Sequence, residues 1–230
     1  QIQVERIDLR FPLNLLVRGV EVIQQPDTLL SLESLNVRVQ AWPLLKGKVE
    51  VDEVTLSQVA VNSANLIEGM QIKGVLGRFF LQSHGVDLSN ETAVVNRTEL
   101  SDTHIQLLMT DTTTTPKDTT ASAPVNWKVN LHQLKLKNVS FGMKLPADSM
   151  KMAAYIGEAT IDDAKADLKN QFYGLKQFLL SGASASYDTG EAQPSEGFDA
   201  SHMAVRNIRI GLDSLLYEGR NMNAVIREIT

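Results

Sequence analysis

The chemistry open to this chain of 230 residues begins with four histidines, His84, His104, His132 and His202. "SHGVD" (83–87) and "SDTH" (101–104) each set one beside an aspartate, raw material for a metal site or for a base oriented by a carboxylate. A metal site needs three or four ligands converging in space, and neither H-x3-H nor HExxH spacing occurs. No metal is therefore expected, and the histidines read as exposed residues of loops and strand ends. Nucleophilic catalysis lacks its framework too. There is no G-x-S-x-G elbow, and "SGASAS" (181–186) lies in an alternating run instead of a strand–turn–helix. The carboxylate pairs Asp162 with Asp163 and Glu91 with Glu99 stand in polar surroundings and read as solvated, which disfavours paired acid–base work. "GVLG" (74–77) lacks the other glycines of a phosphate-binding loop and reads as a turn. With no cysteine, thiolate chemistry, disulfides and the usual zinc sites are removed together. The expectation is a protein without catalytic residues or cofactors, and not an enzyme.

Charge narrows the partners. The net charge is −5, and 22 basic residues are scattered among 27 acidic ones without a cluster, which argues against nucleic acid and against adhesion to anionic headgroups. Aromatic residues make up 6%, too few for a stacking platform. No run approaches the roughly 18 apolar residues of a membrane-spanning helix. The chain opens at Gln1 inside an alternating pattern, as expected of a segment of a longer protein whose membrane anchor lies upstream.

The elements carrying these residues read as strands. Apolar residues alternate at Ile7, Leu9 and Phe11, at Leu30 and Leu32, at Leu35, Val37 and Val39, at Ile105, Leu107 and Met109, and at Ile208, Ile210 and Leu212. Period two with one apolar face predicts antiparallel sheet. Several runs slip phase: Val49 and Val51, then Val54 and Leu56, then Val59 and Val61. One extra residue turns every later side chain to the other face unless a bulge absorbs it. The slips predict bulges and strong curvature, with part of the apolar set turned outward. A helical turn is expected near "WPLLKG" (42–47) and a tight turn at "LPADSM" (145–150). For 150–180 strands are favoured over helix, because Gly157 and Gly174 interrupt any helix. Residues 110–124, "TDTTTTPKDTTASAP", read as a mobile Thr-rich loop, and 188–200 as a second polar loop. A slack loop tolerates replacement by a short Gly/Ser linker, since closure costs change by about 0.6 kcal/mol per doubling of length.

The run over residues 1–62, with "GVEV", "PDTLLSLESLNVRV" and "LLKGKVEVDEVTL", resembles the opening of the periplasmic part of the TamB/AsmA family. "GVDLSNETAVVN" (85–96), "LPADSM", "SASYDTG" (184–190) and "GLDSLLYEGRNMNAVIRE" (211–228) are similar to the N-terminal region of the long TamB-like proteins of the Bacteroidota. The resemblance implies an all-β fold: an elongated, strongly curved antiparallel sheet, the U-shaped groove called a β-taco, forming one domain over 1–230. It implies a periplasmic protein tethered to the inner membrane. Such a protein carries phospholipid acyl chains toward the outer membrane, or assists outer-membrane protein assembly with a barrel partner of the TamA/BamA type. It supplies no catalytic residue. Groove-facing candidates are Val49, Val51, Val54, Leu56, Leu134, Leu136, Phe141, Met143, Ile208 and Ile210. The alternative is a closed structural or protein-interaction β-sandwich without a lipid groove.

Overall fold

The computed structural model describes residues 1–11, 13–44, 50–63, 69–87, 90–109, 126–190, 197, 199–219 and 221–230, the side chains of 44, 87 and 148 excepted. The alternating runs become twelve strands. They are β1 (Ile2–Arg10), β2 (Asn14–Gln24), β3 (Asp27–Val39), β4 (Val51–Asn62), β5 (Met70–Asp87), β6 (Thr92–Met109), β7 (Lys128–Leu145), β8 (Met150–Asp167), β9 (Phe172–Leu175), β10 (Gln177–Asp188), β11 (His202–Glu218) and β12 (Asn221–Ile229). All belong to one sheet ordered β1-β2-β3-β4-β5-β6-β7-β8-β10-β11-β12, with β9 pairing β8 and β11 in the lane that β10 continues. The chain thus adds each strand beside the last, the simplest solution for short connections.

The stretch 150–180 is strand throughout its ordered elements, β8, β9 and the start of β10. "LPADSM" is the expected turn: β7 ends at Leu145, a single 3-10 turn spans Pro146–Asp148, and Ser149 at φ 50° delivers the chain into β8. The expected helical turn is α1 (Ala41–Leu44). "GVLG" is corrected: Gly74 and Gly77 lie inside β5, so these glycines serve the sheet instead of reversing the chain. His84, His104 and His132 also sit within strands, and His202 opens β11. Residues 110–124 and most of 188–200 lie outside the described residues.

One pairing departs from antiparallel expectation. Strand β7 runs parallel to β6, in register from Thr92↔Lys128 to Leu108↔Lys144. Period two is common to both pairings when one face is apolar, so alternation alone does not distinguish them.

The phase slips align from strand to strand. Directly paired residues project from the same face, so the registers can be followed across the sheet. One row runs Leu9, Leu15, Val37, Val54, Leu81, Thr98, Leu134, Ile161, Phe178, Leu212, Ile226. The next runs Ile7, Val17, Leu35, Leu56, Phe79, Leu100, Leu136, Ala159, Leu180, Ile210, Ile229. Beyond this second row the spacing is three residues in β4, β6 and β7, and the extra position is held at positive φ by Gln58 (49°), Asp102 (51°) and Asn138 (54°). Gly19, Gly182 and Asn207 are the positive-φ residues of β2, β10 and β11 in the same zone. The facing strands β3, β5 and β8 carry the same three-residue interval at Leu32–Leu35, Leu76–Phe79 and Ile156–Ala159, so the registers run through this zone without a shift. On β7 and β8, Leu136 and Ile156 from either side of this zone line one dimple, so the apolar rows share a face there.

That face has no second layer among the described residues. The only buried hydrophobic side chains among them are Ala159 and Ala183, and no side chain is less than 2% exposed. The accessible surface is 15670 Å², against about 10,300 Å² for a compact monomer of this chain's mass, 25.4 kDa. A closed sandwich would bury whole aliphatic and aromatic side chains. The sandwich alternative is accordingly set aside for one open sheet.

Candidate functional site

The register rows place the groove candidates that the structure describes. Val54 and Leu134 stand in the first row above, and Leu56, Leu136 and Ile210 in the second. Past the positive-φ zone come Ile208, opposite Ala183, then Phe141, opposite Ile105 and Ala154, and Met143, opposite Leu107 and Met152. Val51 pairs with Val39 across a further register shift, where Asp52 is the extra residue. Val49 lies outside the described residues. Central strands normally carry a covering layer, yet Ile105 and Phe141 are each 40% exposed. A dimple of about 150 Å³ sinks into this face between Leu134, Leu136, Ile156, Ala159, Ile161, Phe178 and Leu180, with no polar lining. Its lining joins Ile156 to Leu136, from opposite sides of that zone, so both stretches share one face.

The second face is polar. Arg38 pairs with Glu53 at 3.1 Å, Arg97 with Glu99, and Lys128 with Asp167 at 3.5 Å. Exposed pairs like these contribute little stability and mainly keep the face in water. At the end of the sheet near β7–β8 this face carries a hollow of about 950 Å³. From β5 it takes Gln71 and Lys73 but not Ile72, and from β6 His104, Gln106 and Leu108 with a single apolar-face residue, Leu107. The hollow is thus a trench against the polar face. Its floor is a register row of small residues, Gly142, Ala153, Ser186 and Ala204. On β7, β8, β10 and β11 its lining runs through consecutive residues, 140–144, 151–155, 184–188 and 202–206, so the apolar-row positions between the polar ones touch it too.

Sequence patterning does not reveal this trench, because its floor is built from residues that a period-two pattern discards as solvent-facing. One signal was available. Lys144 and Lys151 are equidistant from the "LPADSM" turn, so a hairpin there must pair them, and it does.

The histidines do not assemble. His104 Nδ1 lies 2.5 Å from Ser140 Oγ, and His132 Nδ1 lies 3.1 Å from Asp163 Oδ1. His202 stands between two carboxylates, with Nδ1 2.8 Å from Asp199 Oδ2 and Nε2 3.0 Å from Asp188 Oδ1. Carboxylates on opposite edges of one ring cannot converge on a single ion, and no metal-binding group exists among the described residues. Asp162 and Asp163 also part company: Asp162 accepts from Gln133, whereas Asp163 faces His132 and Lys176.

The His202 bridge has a pH signature. The hydrogen bond to Asp199, then the charges of Asp199 and Asp188, raise the imidazole above its usual 6.5. Asp199 is lowered from 3.8, chiefly by the Ser201 N–H and by His202. A raised imidazole contributes stability present below about pH 6.5 and lost as pH rises through the folded value. A lowered carboxylate contributes stability present above 3.8 and lost as pH falls through its folded value. Titrating the His202 ring protons by NMR should give a pKa above 6.5 that falls on Asp199→Asn. A value at or below 6.5 would mean the bridge does not form in solution.

These features define a class: a single-layer β sheet with one continuous apolar face. No family profile matches the sequence, and neither does any curated protein. No helix among the described residues is long and apolar enough to cross a membrane.

Proposed function

We propose that this chain is a segment of a periplasmic, bridge-like lipid conduit of the TamB/AsmA type, tethered to the inner membrane and without enzymatic activity. The open sheet curves into a groove that shields phospholipid acyl chains. The observation that carries the reading is the uncovered apolar face, whose rows continue through every strand lane without a catalytic group among them. A 16-carbon chain removed from water by such a surface is favoured by about 0.8 kcal/mol per methylene, roughly 13 kcal/mol gross. No headgroup site is needed for that term. The contacts slide, since one aliphatic row resembles the next.

The test exploits the positive-φ position at Gln58. Photo-crosslinking residues placed at 54, 56, 59 and 61 should capture lipid in cells, whereas those at 53, 55, 57 and 60 should not. The productive parity changes between 56 and 59, a pattern that non-specific membrane contact does not produce. Equal capture at both sets would sink the groove.

Partner binding at the sheet edges is a second reading with its own observation. Strands β1 and β12 end the sheet, and Ile7 and Ile229 on them are each 64% exposed. Open edges accept a further strand through the backbone, which suits an outer-membrane barrel-assembly partner.

A further inference from the structure

We propose that the trench on the polar face binds a long-chain amphiphile with an anionic head group. Its tail lies along Gly142, Ala153 and Ser186, and its head sits between Lys144 and Lys151. The site stands on the face opposite the proposed conduit and does not depend on it.

Charge carries the first part of the argument. The chain is net acidic, and its basic residues look scattered in sequence, but the fold draws Lys73, Lys144, Lys151 and Arg206 to one hollow. Asp188 is its only carboxylate among the described residues, and His202 occupies that carboxylate at 3.0 Å. None of the four cations forms an ion pair with a described residue there. Lys144 and Lys151 are direct cross-strand partners, an arrangement of like charges that weakens a sheet. An anion seated between them removes that repulsion, and a carboxylate or phosphate monoester meets a lysine pair with charge-assisted hydrogen bonds.

Shape carries the second part. The small-residue row is flanked on one side by the His104, Ser140 and Tyr155 row and on the other by the lysine row, so it forms a channel across the strands. From Gln106 on β6 to Ala204 on β11 it crosses four strand intervals, about 19 Å at the usual spacing. A compact anion would leave most of this length empty. A neutral lipid would leave the lysines unrelieved. The floor has room, because a Cβ added at Gly142 meets nothing closer than 3.9 Å.

The test is calorimetric titration of the full chain with 1-palmitoyl-lysophosphatidic acid, 1-palmitoyl-lysophosphatidylcholine and inorganic phosphate, each below its aggregation limit. Saturable binding of the first is expected, at least tenfold weaker binding of the second, and no measurable heat from the third. Lys144→Gln with Lys151→Gln should weaken the first at least tenfold while the thermal midpoint stays the same or rises. Gly142→Leu, which fills the channel, should abolish binding in a folded protein. Val61→Gln with Ile105→Gln, on the apolar face, should leave it unchanged. Equal affinity for the two lysolipids, or unaltered binding by the lysine variant, overturns the trench. So does loss on the apolar face with Gly142→Leu still binding, which would leave the conduit reading intact. Phosphate binding as tightly as the lysolipid overturns the tail.

Discussion

Replacing residues 110–124 by a four-residue Gly/Ser linker should destroy the in-register pairing of β6 with β7. The reason lies in the described strands on either side. Lys128 pairs with Thr92, so the chain leaving Met109 must return to the far end of the strand it has just completed. Seventeen residue steps at about 3.3 Å place that point roughly 56 Å away along the sheet. The native connection has nineteen Cα–Cα steps, a reach of about 63–68 Å. The shortened one has eight, a reach of about 26–29 Å. A strand bent to a right angle at its midpoint would still leave about 40 Å to cover, by the same rise. Strands β1–β6 would separate from β7–β12, and the ladder between two central strands would open. Hydrogen exchange should report it as lost protection in β6 and β7, with a large fall in thermal midpoint. An unchanged midpoint would refute the parallel pairing. The slow dependence of closure cost on length holds for loops whose ends already lie close together, a condition that Met109 and Lys128 do not meet.

That contrast shows where sequence patterning stops. Alternation identified the strands, including the ambiguous 150–180, because a half-buried strand needs only local spacing to declare itself. It could not orient β7, since the information is the partner's direction and not the spacing within β7. The slips at 56–59, 100–103 and 136–139 were visible as intervals of three. Whether each inverted the face depended on a backbone angle. A partial signal existed, because Asp102, Asn138 and Asn207 belong to the residue types that tolerate left-handed backbone. Gln58 gave no such signal. The groove candidates were thus legible as one apolar set, and of the trench only the pairing of Lys144 with Lys151 was legible. Its floor joins Gly142, Ala153, Ser186 and Ala204, which only the registers of β7, β8, β10 and β11 bring together.

Gly77→Ala should destabilise the sheet, whereas Gly142→Ala should leave it unchanged or stabilise it. Both glycines lie inside long strands, where glycine normally weakens the structure by roughly 0.5–1 kcal/mol relative to alanine. At Gly142 that cost is relieved without a steric clash. At Gly77 the positive-φ residue of the neighbouring strand intervenes. Asp102 at φ 51° pushes its backbone and side chain toward β5, and a Cβ on Gly77 would sit 2.7 Å from Asp102 Cβ and 2.9 Å from Asp102 O. A backbone oxygen held in a ladder cannot swing aside as a side-chain tip does. Asp102 is held in turn by Asn138, whose Nδ2 donates to Asp102 Oδ1 at 2.8 Å, so displacement at one passes to the other. Overpacking of this kind costs about 1–3 kcal/mol. Denaturant unfolding of both variants measures the difference. Equal stability would show that this positive-φ zone yields freely, and the apolar rows would then lose the constraint that keeps their two halves on one face.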